Sequence, residues 1–185
     1  NNYVSDLSRD KSLSCHGNNC EGLWNREHIY PRSLSNPEMI TNSPGPGTDV
    51  HNLRSCDYTM NINRSNLIFC SSNGTSGLTA NNCWYPGEEW IGDIARIIMY
   101  MYLRYSSQCS PLNVGNGSAE YSPNHDMLDL FLEWNALDPV SDFEKSRNEE
   151  IFNYQGNRNP FIDNPFLATL IWGGPDAENS WLGLS

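Results

Sequence analysis

Apolar positions change their period partway along the chain. Ile91, Ile94, Ala95, Ile98, Met101, Tyr102 and Tyr105 recur every three or four residues, the spacing that lays one hydrophobic stripe along a helix. Met127, Leu128, Phe131, Trp134 and Leu137 continue in the same period, with Ser122-Pro123 placed to act as cap and first helical residue. Ser141 with Glu144 spells a capping box for a third helix, which Gly156 can close. The first half reads differently. Short runs at 23–30, 50–54 and 67–70 fit brief strands, the first of them ended by Pro31, which removes a donor from the ladder. Turn-rich stretches at 36–48, 71–82 and 111–122 separate the elements. The expectation is an α+β fold, a mixed α/β single domain in which the aromatic and Met side chains of the helical stripes form the core.

The length of 185 residues and mass of 20.9 kDa suit one compact domain and leave no room for two ordinary ones. With 38% hydrophobic and 18% charged residues, the chain is neither a disordered tail nor a coiled coil. Its longest apolar stretch, 94–105, contains Arg96 and Arg104 and falls short of the roughly 20 residues needed to cross a bilayer, so no membrane partner is expected. The opening Asn1-Asn2-Tyr3 carries neither the basic start nor the apolar run of a secretion signal. Six cysteines, even in number and with no Cys-x-x-Cys pair, point to disulfides and an oxidising compartment. Cys15 and Cys20 are close enough to close a small loop. A zinc site at Cys15, His16 and Cys20 is the weaker alternative.

A formal charge of −11 argues at first against a nucleic-acid partner, because a polyanion calls for a basic footprint. The distribution weakens that objection. Residues 1–87 carry six basic and seven acidic side chains, whereas residues 88–185 carry five and fifteen. Only Lys11 and Lys145 are lysines, so the positive charge is mostly arginine, whose planar fork matches phosphate.

The densest chemistry lies in Trp24-Asn25-Arg26-Glu27-His28-Ile29-Tyr30-Pro31-Arg32-Ser33. A carboxylate there adjoins an imidazole, and guanidinium groups flank both. Asp49-Val50-His51-Asn52-Leu53-Arg54 adds a second His, and Asn61-Ile62-Asn63-Arg64-Ser65-Asn66 a polar run where a helix could begin. Singly these are ordinary residues: a structural histidine, a surface ion pair, a cap. Together they fit metal-assisted hydrolysis of a phosphodiester. Glu27 and the amide oxygen of Asn61 suit a hard cation such as Mg2+ that keeps several waters, and His28 can take a proton from water. Arginine would clamp a phosphate oxygen, with Arg26, Arg32, Arg54 and Arg64 as the substrate-binding candidates. Neighbours on a regular strand face opposite ways, so Glu27 and His28 share a site only if the strand bends or ends there.

The ordered blocks Glu27-His28-x-x-Pro31-Arg32, Asp49-x-His51-Asn52-Leu53 and Asn61-x-x-Arg64-x-Asn66 resemble the bacterial endonuclease I family of secreted or periplasmic nucleases. Ile94-Ala95-Arg96, Trp134-Asn135, Pro139-Val140-Ser141-Asp142 and the run from Tyr154 to Asp163 extend the resemblance over roughly 23–165. It implies a ββα-metal (His-Me finger) motif at about 22–67 and a helical scaffold at about 88–172, within one nuclease domain spanning 1–185. It further implies a monomer that cuts DNA, and often RNA, without sequence preference. The implied roles are His28 as general base and Glu27 and Asn61 as ligands of Mg2+, with Mn2+ or another divalent cation as alternatives.

Some members carry a basic, Cys-rich insert between the first two blocks that contributes an arginine to the phosphate. Here residues 33–48 are short and without positive charge, so Arg32 and Arg64 take that place as catalytic candidates. His51 and Asn52 are expected to orient the motif by hydrogen bonding. Asn164 stands where many relatives have His. The competing reading is a catalytically silent, disulfide-bonded binding module that keeps the fold.

Overall fold

The computed structural model describes residues 11–182. Residues 1–10 and 183–185, the two ends of the domain expected over 1–185, lie outside the described residues. Strand β1 (Trp24–His28) pairs antiparallel with β2 (Leu53–Asp57), Trp24 opposite Asp57 and His28 opposite Leu53. Helix α1 (Tyr58–Arg64) follows with no intervening loop. The last strand residue makes this possible: the Asp57 side chain accepts from the Met60 N–H and caps the helix it introduces. β1 ends before Pro31, as expected.

The second strand begins later than its sequence suggests. Val50–Asn52 form a turn of 3-10 helix, because the Asp49 carboxylate accepts from the His51 N–H and pulls the backbone into a cap. The expected strand at 67–70 reduces to Phe69, which bridges Trp84 and Gly115 singly. A small second ribbon, β3 (Gly77–Leu78) with β4 (Trp84–Tyr85), completes the sheets among the described residues.

The helical half matches its pattern more closely. α2 (Ile91–Arg104) is buried from Ile91 to Met101 and packs on α3 (Asp129–Leu137), with Phe69, Phe131 and Trp134 meeting edge to face. α3 starts at Asp129 rather than at Ser122-Pro123. The Asp129 carboxylate accepts from the Ser118 hydroxyl and from the N–H groups of Glu120 and Tyr121, so the preceding residues are held as a loop. α4 (Asp142–Gln155) has both halves of the Ser141–Glu144 box and ends at Gly156, φ 81°. Two short helices, α5 (Pro160–Asp163) and α6 (Phe166–Trp172), follow.

Arg96 is fully buried and grips both oxygens of Glu144, at 2.7 and 2.8 Å, joining α2 to the first turn of α4. Such a pair offsets its desolvation only with this bidentate geometry, and the Asp138 carbonyl takes a further donor.

Of the six cysteines, Cys15 pairs with Cys20 and Cys70 with Cys83, while Cys56 and Cys109 are free thiols. Full pairing, favoured by the even count, does not occur. The first bridge removes both thiolates that a zinc site at Cys15, His16 and Cys20 would need.

Candidate active site

The site forms along the seam between β1 and α1. Asn61 and Arg64 stand three residues apart on the helix and therefore share one face of it. The Asn61 amide nitrogen donates to Asn25 Oδ1 at 2.7 Å and to the Arg26 carbonyl at 3.3 Å. These bonds fix the amide's orientation. Its Oδ1 accepts no hydrogen bond among the described residues.

Glu27 is buried against the same helix, and its Oε1 accepts from Arg64 Nη1 at 2.7 Å. Oε2 has no hydrogen-bond donor among the described residues. Burial pushes the Glu27 carboxyl up to about 7 although Arg64 pulls it down. Arg64 itself is held below the usual arginine range by burial. Its guanidinium also donates to the carbonyls of His28, Ile29 and Ser65 and lies over the Phe69 ring at 4.9 Å.

His28 stands at the end of the strand, half-buried, with Nε2 2.8 Å from the Gly47 carbonyl. A carbonyl oxygen only accepts, so Nε2 carries the proton and Nδ1 keeps the lone pair. Burial lowers the His28 pKa, and the positive charges of Arg32, Arg26 and Arg64 lower it further against the raising effect of the Gly47 bond. The imidazole is therefore kept neutral and aimed. Gly47 has no permissible substitute at this approach, since a Cβ there would stand 2.2 Å from the Ile40 carbonyl oxygen. The Pro44-Gly45-Pro46-Gly47 run was the available signal for this residue.

Other sequence candidates occupy distinct positions. The Asn52 side chain, fully buried, accepts from the Tyr30 N–H at 2.7 Å and donates to the Tyr30 carbonyl at 3.2 Å, fastening the chain just beyond His28. His51 is fully buried farther away, bonding the Asn157 carbonyl at 3.2 Å and packing on Tyr100. Arg54 lies between Trp90 and Phe143 and pairs with Asp93 at 2.8 Å, so its guanidinium is engaged within the fold. The Arg26 side chain is exposed and makes no hydrogen bond or ion pair among the described residues, and Arg32 donates through Nε to the Met39 carbonyl. Asp49, part of the second block but given no role of its own from the sequence, joins the elements: it accepts from Tyr100, Tyr105, Gln155 and the His51 N–H.

Two oxygens, Glu27 Oε2 and Asn61 Oδ1, are thus left on facing elements by partners that engage their neighbouring atoms. Among the described residues no group of three His, Cys, Asp or Glu side chains could cage a metal ion. The donor set suits a hard divalent cation that retains most of its water.

Ribbon, capped helix and an imidazole oriented at the strand end thus meet along one seam. Comparison with known proteins gives the family. Residues 2–166 match the family model described as endonuclease I, and the chain belongs to the endonuclease I family. It is 43% identical over 178 residues to an extracellular ribonuclease of Bacillus subtilis (strain 168), covering 89% of this chain and 58% of that protein. An extracellular ribonuclease of Bacillus amyloliquefaciens is 38% identical over 185 residues, 93% of this chain and 62% of the relative. An extracellular deoxyribonuclease of Aeromonas hydrophila is 30% identical over 125 residues, 62% and 49% of the two chains. The chain therefore spans about three-fifths of the length of the two Bacillus relatives.

Proposed function

We propose that this chain is a secreted, metal-dependent, sequence-non-specific endonuclease that hydrolyses phosphodiester bonds of DNA and RNA, acting as a monomer and as one nuclease unit over residues 1–185. The observation that carries this reading is the orientation of His28: Gly47 holds Nε2–H and leaves Nδ1 as a base at the ribbon's end. Membership of the endonuclease I family and the names of the extracellular ribonuclease and deoxyribonuclease relatives support the substrate class. Among the described residues no helix is long and apolar enough to cross a membrane.

In this reading β1, β2 and α1 form a ββα-metal (His-Me finger) motif. Glu27 and Asn61 would hold Mg2+ or Mn2+, which supplies Lewis-acid stabilisation of charge on the phosphate and leaving oxygen. His28 Nδ1 takes the proton of the attacking water. Arg26 and Arg32, on either side of His28 in sequence, hold phosphate oxygens, and Arg64 positions Glu27 and the strand end instead of reaching substrate. His51 and Asn52 brace the segment around the base. Contacts restricted to the backbone give no base readout, which fits cleavage without sequence preference.

Incubation of the purified protein with plasmid, linear duplex, single-stranded DNA and RNA tests this directly. Degradation with Mg2+ or Mn2+, abolished by EDTA, is expected. Absence of nicking with any divalent metal would favour the silent binding module.

A further inference from the structure

The basic side chains of the described residues are mostly committed to partners within the chain. Arg54 pairs with Asp93, Arg64 with Glu27, Arg96 with Glu144, and Arg158 with Glu149 and Asp163. Arg147 donates to the carbonyls of Val50 and Leu53. Three arginines combine a well-exposed side chain with terminal nitrogens that no close partner takes among the described residues: Arg26; Arg32, whose Nη2 meets only exposed Glu38, at 3.5 Å; and Arg104. The first two border His28.

Arg104 closes the C-terminal end of α2 with its side chain 47% exposed. Only its Nε is engaged, donating to the Tyr105 hydroxyl at 3.0 Å and lying 3.4 Å from Asp49. The guanidinium lies over the Tyr105 ring at 5.5 Å, which fixes the fork in place. It lines a cavity of about 460 Å³ together with Tyr105, Gln155 and the segment 41–48.

The Gly47 carbonyl, in the same segment, accepts from His28. The cavity and the imidazole thus share one loop. Asp49 also borders the cavity, but its side chain is 1% exposed, covered by Tyr100, Tyr105, Gln155 and the His51 N–H. Arg104 is the charge that an entering group meets.

We propose that this cavity is a nucleotide subsite, taking a unit of the single-stranded chain bound at His28 and holding its phosphate on the Arg104 fork. A volume of this size admits a nucleotide, and Thr41, Asn42 and Ser43 supply uncharged polar groups at the rim. The inference rests on the nuclease reading and adds a path for the strand, from Arg26 and Arg32 past His28 to Arg104.

Equilibrium binding of a fluorescent single-stranded oligonucleotide, in EDTA to prevent turnover, tests it across a salt series. Arg104→Ala should weaken binding by roughly tenfold, as loss of one charge-assisted contact does. It should also reduce the slope of log affinity against log salt by about 0.7, the single-strand value for one phosphate contact. Asn42→Glu, at an exposed position, should weaken binding by placing a like charge at the rim. Wild-type affinity and slope in both variants would overturn the subsite, and so would weaker binding of Arg104→Ala at an unchanged slope. A protein that binds with this salt signature yet cuts nothing with any divalent metal would remove the nuclease reading and leave the subsite standing.

Discussion

Arg64 lies behind Glu27, donating to its Oε1 at 2.7 Å and to the backbone carbonyls of His28 and Ile29. One side chain therefore sets the carboxylate and the backbone of the adjoining imidazole together. Glu27 packs inward on α1, and His28, opposite Leu53, is the last residue of β1. Because both partners are buried, truncating Arg64 strands a charge. Arg64→Met is expected to cost about 3–5 kcal/mol of stability. Thermal or denaturant unfolding checks this, and a loss below about 1 kcal/mol would mean the pair is solvated.

Two titrations should separate in the pH–rate profile. Glu27, raised to about 7, is protonated below that pH and then cannot serve as a ligand. At limiting Mg2+, activity should rise with pH through about 7. At saturating Mg2+ the metal displaces that proton, and the acid limb should move below 6.5, where the lowered His28 pKa lies. An acid limb that ignores the metal concentration contradicts the assignment of Glu27.

Gly47→Ala should lower the rate severalfold or more while leaving the helical half folded, because the added Cβ meets the Ile40 carbonyl at 2.2 Å and shifts the loop that aims His28. Rate measurements together with circular dichroism test this. A wild-type rate would show that Gly47 does not set the base.

Arg26→Ala and Arg32→Ala are each expected to flatten the salt dependence of duplex binding by about 0.9 in log–log slope. Arg54→Ala should leave that slope alone and lower the melting temperature instead, since Asp93 loses its partner and stays buried. Binding titrations at several salt concentrations distinguish the two behaviours, and a flattened slope for Arg54→Ala would place that residue on the substrate.

Periodicity and capping chemistry made α2 and α4 legible, because Ile94, Ile98, Ser141, Glu144 and Gly156 act within a few residues of themselves. The start of α3 was not, since Asp129 is set by loop donors from residues 118–121. Likewise, the 3-10 turn before β2 depends on Asp49, whose further partners come from positions 100, 105 and 155. In the site, Glu27, His28 and Asn61 stood out by chemical type. The division of labour among the arginines did not, because whether a guanidinium faces solvent or a buried carboxylate follows from tertiary packing. Arg54 and Arg64 were candidates for substrate, and both are paired inside the fold.

The most direct test of the account is the single-turnover cleavage rate of His28→Ala at saturating Mg2+, beside wild type with and without EDTA. A base held as His28 is should cost about 10²–10⁴-fold when removed. Wild type should stop in EDTA. A variant that cuts at nearly the wild-type rate, or a wild type indifferent to the chelator, would contradict it.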